Sequence, residues 1–186
     1  MNLAVREQRY LFEGTDHPDV IVHRVYENPS KDTFTIPSVK KLLHRYIENG
    51  KKWCDPFAGN YSPAEFTNDL NPHKKAKMHL TAENFCELIE GPLKGILFDP
   101  PYSPRQIKES YNAVGLDLHM RDTQAGFYNR VKNAICGKIV RNGFAISFGW
   151  TTEGFGVKRG FQLEEILIIC HGGHHNDTLV TVERKL

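Results

Sequence analysis

The stretch ILFDPPYSPRQIKESY runs an apolar segment, Gly95 to Phe98, straight into Asp99-Pro100-Pro101-Tyr102. An acid carried out on a buried strand, two residues of locked backbone and an aromatic ring could together hold a substrate in one pose. A tetrapeptide of this kind arises by chance in roughly one chain in a thousand of this length, which makes it the sharpest signal present. The competing reading is a proline-rich turn that ends a strand, with Tyr102 as a packing residue. Two further acids close short apolar segments, Asp55 after KKWC and Asp69 after FTN. Three acids at three strand ends form an arrangement that a binding site needs. His171, His174 and His175 invite a metal reading. Their glycine-containing turn, with Asp177 as the nearby acid, suits a polar turn facing substrate better.

The elements that would position these residues can be read from periodicity. Val39, Leu42, Leu43, Tyr46 and Ile47 fall on one stripe of a helix, with Pro37 near its start and Gly50 past its end. KKWCDPF, FTNDLNP, a weak KMHL, GILFDPP, GFAISFGW, FQLEEILIICHGG and DTLVTVERK read as seven strands, the last two pairing as an antiparallel hairpin. Helices are expected over Ala82–Ile89 and over DTQAGFYNRVKNAI, the latter capped by Asp122. The fold expected is α/β: a mostly parallel seven-stranded sheet with a C-terminal antiparallel hairpin, binding ligand beyond the carboxyl ends of its strands. Asp55 and Asp69 are separated by only 13 residues, Pro63 among them, so the usual crossover helix must be absent or reduced to one turn.

Bulk properties set the frame. At 186 residues, with 40% hydrophobic and 25% charged content, residues 1–186 are expected to form one soluble catalytic domain, with a core over about 34–184 and no separate target-recognition domain. No segment has the length of a membrane span, the N-terminal stretch lacks a signal-peptide core, and four cysteines spread singly favour a reducing cytoplasm. The net charge of +2 does not announce a nucleic-acid binder, and the lysine runs at 40–41, 51–52 and 74–77 read first as solvated faces.

DPPY after a buried strand resembles motif IV of the S-adenosylmethionine-dependent methyltransferases that act on exocyclic amino groups of nucleic-acid bases. DPFAG at Asp55–Gly59 is similar to their glycine-containing motif I, and TFTIPSVKKLL to the helix-opening segment beside the methionine end of the cofactor. With TNDLNP, DPPYSPRQ and HGGHHNDT, the chain resembles small DNA adenine methyltransferases of phage and mobile elements, over about Phe34 to Arg184.

That resemblance implies a Rossmann-like class I methyltransferase fold, S-adenosylmethionine as cofactor, and double-stranded DNA with an adenine target as partner, within the host cytoplasm. An exocyclic amine is a poor nucleophile because its lone pair is delocalised into the ring. Asp99 and the Pro100 carbonyl would accept its two hydrogens, Pro101 would stiffen the loop, and Tyr102 would stack on an extruded base. Cofactor contacts are expected from Thr35, Pro37, Asp55, Pro56, Phe57, Ala58, Gly59, Asn60, Asp69, Leu70, Thr81, Ala82 and Asp99, with Asp69 on the ribose hydroxyls. An Asx turn into Asn71-Pro72 is the alternative for Asp69. Glu83 is a further candidate near the adenine ring. Substrate contacts are expected from Tyr102, Ser103, Arg105, Lys108 and Arg121, in loops 103–126 and 151–160, with a protein partner or a homodimer as another source of target choice. No metal is implied. The alternatives are an RNA amino-methyltransferase and a catalytically silent subunit that recruits an active partner.

Overall fold

The computed structural model describes residues 6–10, 19–112, 114–115, 126–173 and 175–186, with side chains for all of these except 6–10 and 104. Arg121, Asp122 and His174 lie outside the described residues. One sheet runs through the structure in the order β1-β2-β7-β8-β6-β5-β3-β4. Its strands are β1 (Arg6–Tyr10), β2 (Val20–Tyr26), β3 (Trp53–Asp55), β4 (Phe66–Thr67), β5 (Leu93–Phe98), β6 (Ile139–Gly149), β7 (Phe161–Cys170) and β8 (Thr178–Lys185). β4, β3, β5 and β6 pair in parallel, as do β2 and β7, while β8 runs antiparallel to both β6 and β7. The C-terminal hairpin is therefore β7–β8.

Two departures from the expected seven strands have local causes. VIVHRVY, rich in β-branched residues, extends the sheet as β2 and pairs with β1. KMHL instead contributes a single parallel bridge, Asn68 to Met78. Met78 makes the backbone pairing, its N–H donating to Thr67 O and its carbonyl accepting from Asp69 N–H (both 3.1 Å). The pairing stops there because the flanking N–H groups go to side chains: Lys77 N–H donates to Thr67 Oγ1 (3.1 Å) and Leu80 N–H to Asn68 Oδ1 (2.8 Å).

Among the described residues, four α-helices complete the fold: α1 (Pro37–Tyr46), α2 (Ala82–Leu88), α3 (Pro104–Asn112) and α4 (Gly126–Cys136). The side-chain period of two in β5 splits the core between the faces. Leu97 belongs to one buried cluster with Val39, Leu42 and Leu43 of α1, whereas Ile96 and Phe98 belong to another with Phe85 of α2 and Val131 and Ile135 of α4. Gly95, inside this strand, leaves room for its neighbours, because a Cβ there would lie 2.6 Å from both the Phe144 carbonyl and the Trp53 ring. Between β3 and β4, residues 56–65 form turns with no helix, as the short spacing requires. The chain adds β4 on one side of β3 and β5 on the other, so the strand order reverses where Asp55 and Asp99 emerge.

Candidate active site

At that reversal the structure opens a cleft of about 630 Å³ beyond the strand ends. Pro56, Phe57, Ala58, Gly59 and Asn60 form one wall; Asp69, Leu70, Thr81 and Ala82 form another. Asp99, Pro100, Pro101 and Tyr102 form the floor, α3 closes one side, and Asp32, Thr33 and Phe34 approach from the segment before α1. Residues from Ser30 to Phe127, 97 positions apart in sequence, are thus brought to one place.

The turn after β3 is held by side chains. Asp55 is fully buried beneath it, and its Oδ1 accepts from Phe57 N–H (2.9 Å). Burial pushes the Asp55 carboxyl up to about 8, against the pull of Ser62 and the Phe57 N–H. Its Oδ2 has no hydrogen-bond partner among the described residues. Asn68, also fully buried, binds the turn from the β4 side: its Nδ2 donates to Pro56 O (3.1 Å) and Leu80 O (3.0 Å), and its backbone carbonyl accepts from Ala58 N–H (2.8 Å). Gly59 has φ +55°, a conformation open to glycine at little cost, and its N–H donates to Asp69 Oδ2 (3.0 Å). Asp69 Oδ1 meanwhile accepts from Asn71 N–H (2.9 Å). Asp69 therefore makes the Asx turn and also staples two loops, while still facing the cleft. Asn60 accepts from Lys75 N–H (3.2 Å), and Thr81 caps α2 by accepting from Asn84 N–H (3.3 Å).

The DPPY loop is equally constrained. The Asp99 carboxyl is pushed up to about 6 by loss of water, opposed by hydrogen bonds from Tyr102 and Thr33. The Tyr102 hydroxyl donates to Asp99 Oδ1, and its backbone N–H donates to Gln106 Oε1 (2.6 Å). The Tyr128 hydroxyl, which burial raises to about 12, donates to the Pro101 carbonyl. The Tyr102 ring meets Trp150 edge-on, with centroids 5.6 Å apart, and Trp150 is 43% exposed at the end of β6.

Some expected residues stand elsewhere. Thr35 does not line the cleft; its hydroxyl donates to Asp32 O (2.7 Å) and meets Ser30 Oγ, shaping the turn that does. Pro37 starts α1 and borders a separate, shallower hollow beside Glu27 and His171. Ser103 caps α3 by accepting from Gln106 N–H (3.3 Å), so 104–112 is helix where a loop was expected, its apolar Ile107 packing on the core. Arg105 and Lys108 lie on the exposed side of α3, Arg105 paired with Glu109 at 2.8 Å. Glu83 instead pairs with Arg130. The expected recognition loop 151–160 is pinned over its second half. Glu183 accepts from Phe155 and Gly156 N–H, Lys132 donates to Gly154 O (2.7 Å), and Phe155 is 1% exposed. Both ring nitrogens of His171 are within hydrogen-bond reach of Glu27 O and Thr178 Oγ1, each at 2.8 Å.

Sequence reasoning missed Asn68, Thr33, Gln106, Tyr128 and Trp150. Asn68 carried a signal, a polar amide directly before an acid at a strand end. The others act across 27 or more residues, or through a rotamer, and left none in the local pattern.

No family model matches this sequence, and no curated protein matches it. Solved structures do resemble it. Over 90% of this chain and 92% of the other, it superposes on yhhF of Escherichia coli, a proposed methyltransferase, with a TM-score of 0.53 and 10% identity. TrmN of Thermus thermophilus matches over 81% of this chain and 49% of its own, with a TM-score of 0.52 and 16% identity. A proposed rRNA methylase of Clostridium thermocellum matches over 84% and 99%, with a TM-score of 0.52 and 11% identity. The architecture is that of a Rossmann-like methyltransferase fold: a largely parallel sheet with antiparallel C-terminal strands. Among the described residues, no helix is long and apolar enough to cross a membrane, and no group of three or more metal-type ligands occurs.

Proposed function

We propose that this protein is an S-adenosylmethionine-dependent methyltransferase acting on the exocyclic amine of adenine in DNA. One observation carries the reading: a conformationally locked Asp-Pro-Pro-Tyr loop delivers a desolvated carboxyl to the floor of the cleft at the strand-order reversal. The cofactor fits the donor set. Asp32, Asp69 and Asp99 line a cleft whose volume suits a small molecule, and acids suit a ligand bearing a sulfonium and an ammonium. Phe57 to Asn60, Asp69, Leu70, Thr81 and Ala82 would hold it, and when bound it supplies an electrophilic methyl group.

The protein's own part is orientation and electrostatics. Asp99 and the Pro100 carbonyl accept the two amine hydrogens, which lets the nitrogen pyramidalise and aim its lone pair. Tyr128 and Gln106 hold the loop from outside, through Pro101 O and Tyr102 N–H, so these acceptors need no reorganisation. Positive charge developing on the nitrogen is stabilised by the Asp99 carboxylate. The Tyr102 hydroxyl sits on Asp99 Oδ1, so the incoming amine must displace it, and turning Tyr102 frees both the acceptor and a stacking face. Arg105 and Lys108 on the exposed side of α3 then face phosphates.

An RNA amine as substrate is the second reading, favoured by the RNA methylase description of a neighbour sharing the fold. Calorimetry with S-adenosylmethionine, followed by methyl transfer to duplex DNA and to structured RNA, tests both. Binding with transfer to DNA adenine, lost in Asp99→Ala, is expected. Activity surviving that substitution sinks the catalytic assignment.

A further inference from the structure

The short link between β3 and β4 removes a helix whose N-terminus would otherwise present backbone N–H groups to an anion. An amino-acid carboxylate entering this cleft must be neutralised by side chains instead. The cleft lining is otherwise hostile to it, since Asp32, Asp69, Asp99 and Glu109 all contribute. Lys31 and Lys74 are the cationic side chains of the described lining, and neither forms an ion pair with a described acid.

Lys74 is placed by a built loop. Asp69 Oδ1 accepts from Asn71 N–H, Asn71 O accepts from Lys74 N–H (3.0 Å), and Asn60 Oδ1 accepts from Lys75 N–H (3.2 Å). The 69–75 segment is thereby tied onto the turn that replaces the helix, with Lys74 only partly exposed. Lys31 belongs to the segment before α1, shaped by Ser30 Oγ on Asp32 N–H (3.2 Å) and by Thr35 on Asp32 O.

We infer that Lys74, assisted by Lys31, forms a carboxylate subsite for the amino-acid end of the cofactor, taking over the role of the missing helix terminus. This rests on the S-adenosylmethionine reading. The acids handle the ligand's two positive charges, and the lysines handle its one negative charge, so the cleft discriminates an α-amino acid from an amine.

The test is calorimetric binding of S-adenosylmethionine and of its decarboxylated analogue to wild type, Lys74→Gln, Lys74→Arg and Lys31→Gln. Wild type is expected to prefer the carboxylated ligand about tenfold or more, the usual worth of a charge-assisted contact. Lys74→Gln should erase most of that preference by weakening only the carboxylated ligand, Lys74→Arg should restore it, and Lys31→Gln should lower it less. Equal weakening of both ligands in Lys74→Gln, or an unchanged preference, overturns the subsite. Failure of wild type to bind either ligand overturns the cofactor reading beneath it.

Discussion

Replacing Tyr102 by phenylalanine separates the two duties assigned to that side chain, because the ring face stays and the hydroxyl leaves. In the structure that hydroxyl donates to Asp99 Oδ1 and pulls down a carboxyl that burial has raised to about 6. A hydrogen bond to a charged group contributes about 1.5 to 3 kcal/mol, and one pKa unit is about 1.4 kcal/mol, so its loss moves Asp99 up by about 1 to 2 units. The ionised acid is the form that stabilises charge on the amine. The acid limb of kcat/KM, which reports the free enzyme, should therefore shift from about pH 6 to about pH 7 to 8 in Tyr102→Phe. Near pH 6 the variant should be about 5- to 50-fold slower, the ratio of ionised Asp99 that a shift of about 1 to 2 units implies, and at pH 9 it should match or exceed wild type, having no hydroxyl to displace. Tyr102→Ala should instead lose about 1 to 3 kcal/mol of stacking at every pH. Transfer of labelled methyl groups, followed from pH 5.5 to 9, gives both profiles. An acid limb that stays put or moves to lower pH in Tyr102→Phe refutes the bond between Tyr102 and Asp99 in solution.

Asp55→Asn should change the pH dependence of stability. With the Asp55 carboxyl raised from its usual 3.8 to about 8, the folded state holds a proton that the unfolded chain gives up across this interval. Wild-type stability therefore falls as pH rises from about 4 to 8, and the amide should flatten that fall by several kcal/mol in melts at pH 5 and pH 8. Asn68→Ala removes three side-chain hydrogen bonds from the cleft wall. It should lower stability by about 2 to 4 kcal/mol in denaturant titrations and abolish calorimetric cofactor binding before it abolishes folding. Arg105→Ala with Lys108→Ala should reduce the slope of log K against log salt for duplex DNA by about 1 to 2, and an unchanged slope removes α3 from the interface.

What the sequence made legible were the features whose cause is local. The α1 stripe, the GILF strand and the DPPY loop each follow from neighbours a few residues apart, and the 13-residue spacing from Asp55 to Asp69 announced the missing helix. What stayed hidden has nonlocal causes. β2 has the composition of a strand, but its place beside β7 is fixed by a partner about 145 residues away. KMHL has the composition of a strand too, yet only Met78 pairs through its backbone, because the Thr67 and Asn68 side chains take the N–H groups of Lys77 and Leu80 on either side. The residues holding DPPY in shape come from three separate segments, Thr33 from before α1, Gln106 from α3 and Tyr128 from α4, and no spacing rule connects them.

Losing the helix after β3 shifts the burden of the site from backbone to side chains. A helix fixes its first turn through repeated backbone bonds, so most single substitutions there are absorbed. Here Asp55, Asn68 and Asp69 each hold the turn at different atoms, and the loop they anchor carries Lys74. Asp69 shows the cost most clearly, since one carboxylate both staples Gly59 to Asn71 and lines the cleft. If Asp69 meets the cofactor ribose as proposed, its remaining lone pairs reach it only while the staple holds, so cofactor affinity and loop order should rise and fall together. In a fold that keeps the helix these two properties can vary separately. In this chain, substitutions at Asp69 should lower both in proportion, which hydrogen exchange at Gly59 and Asn71 measured beside calorimetry can show. Exchange left protected in an Asp69→Ala variant that has lost the cofactor would leave Asp69 with the ligand role alone.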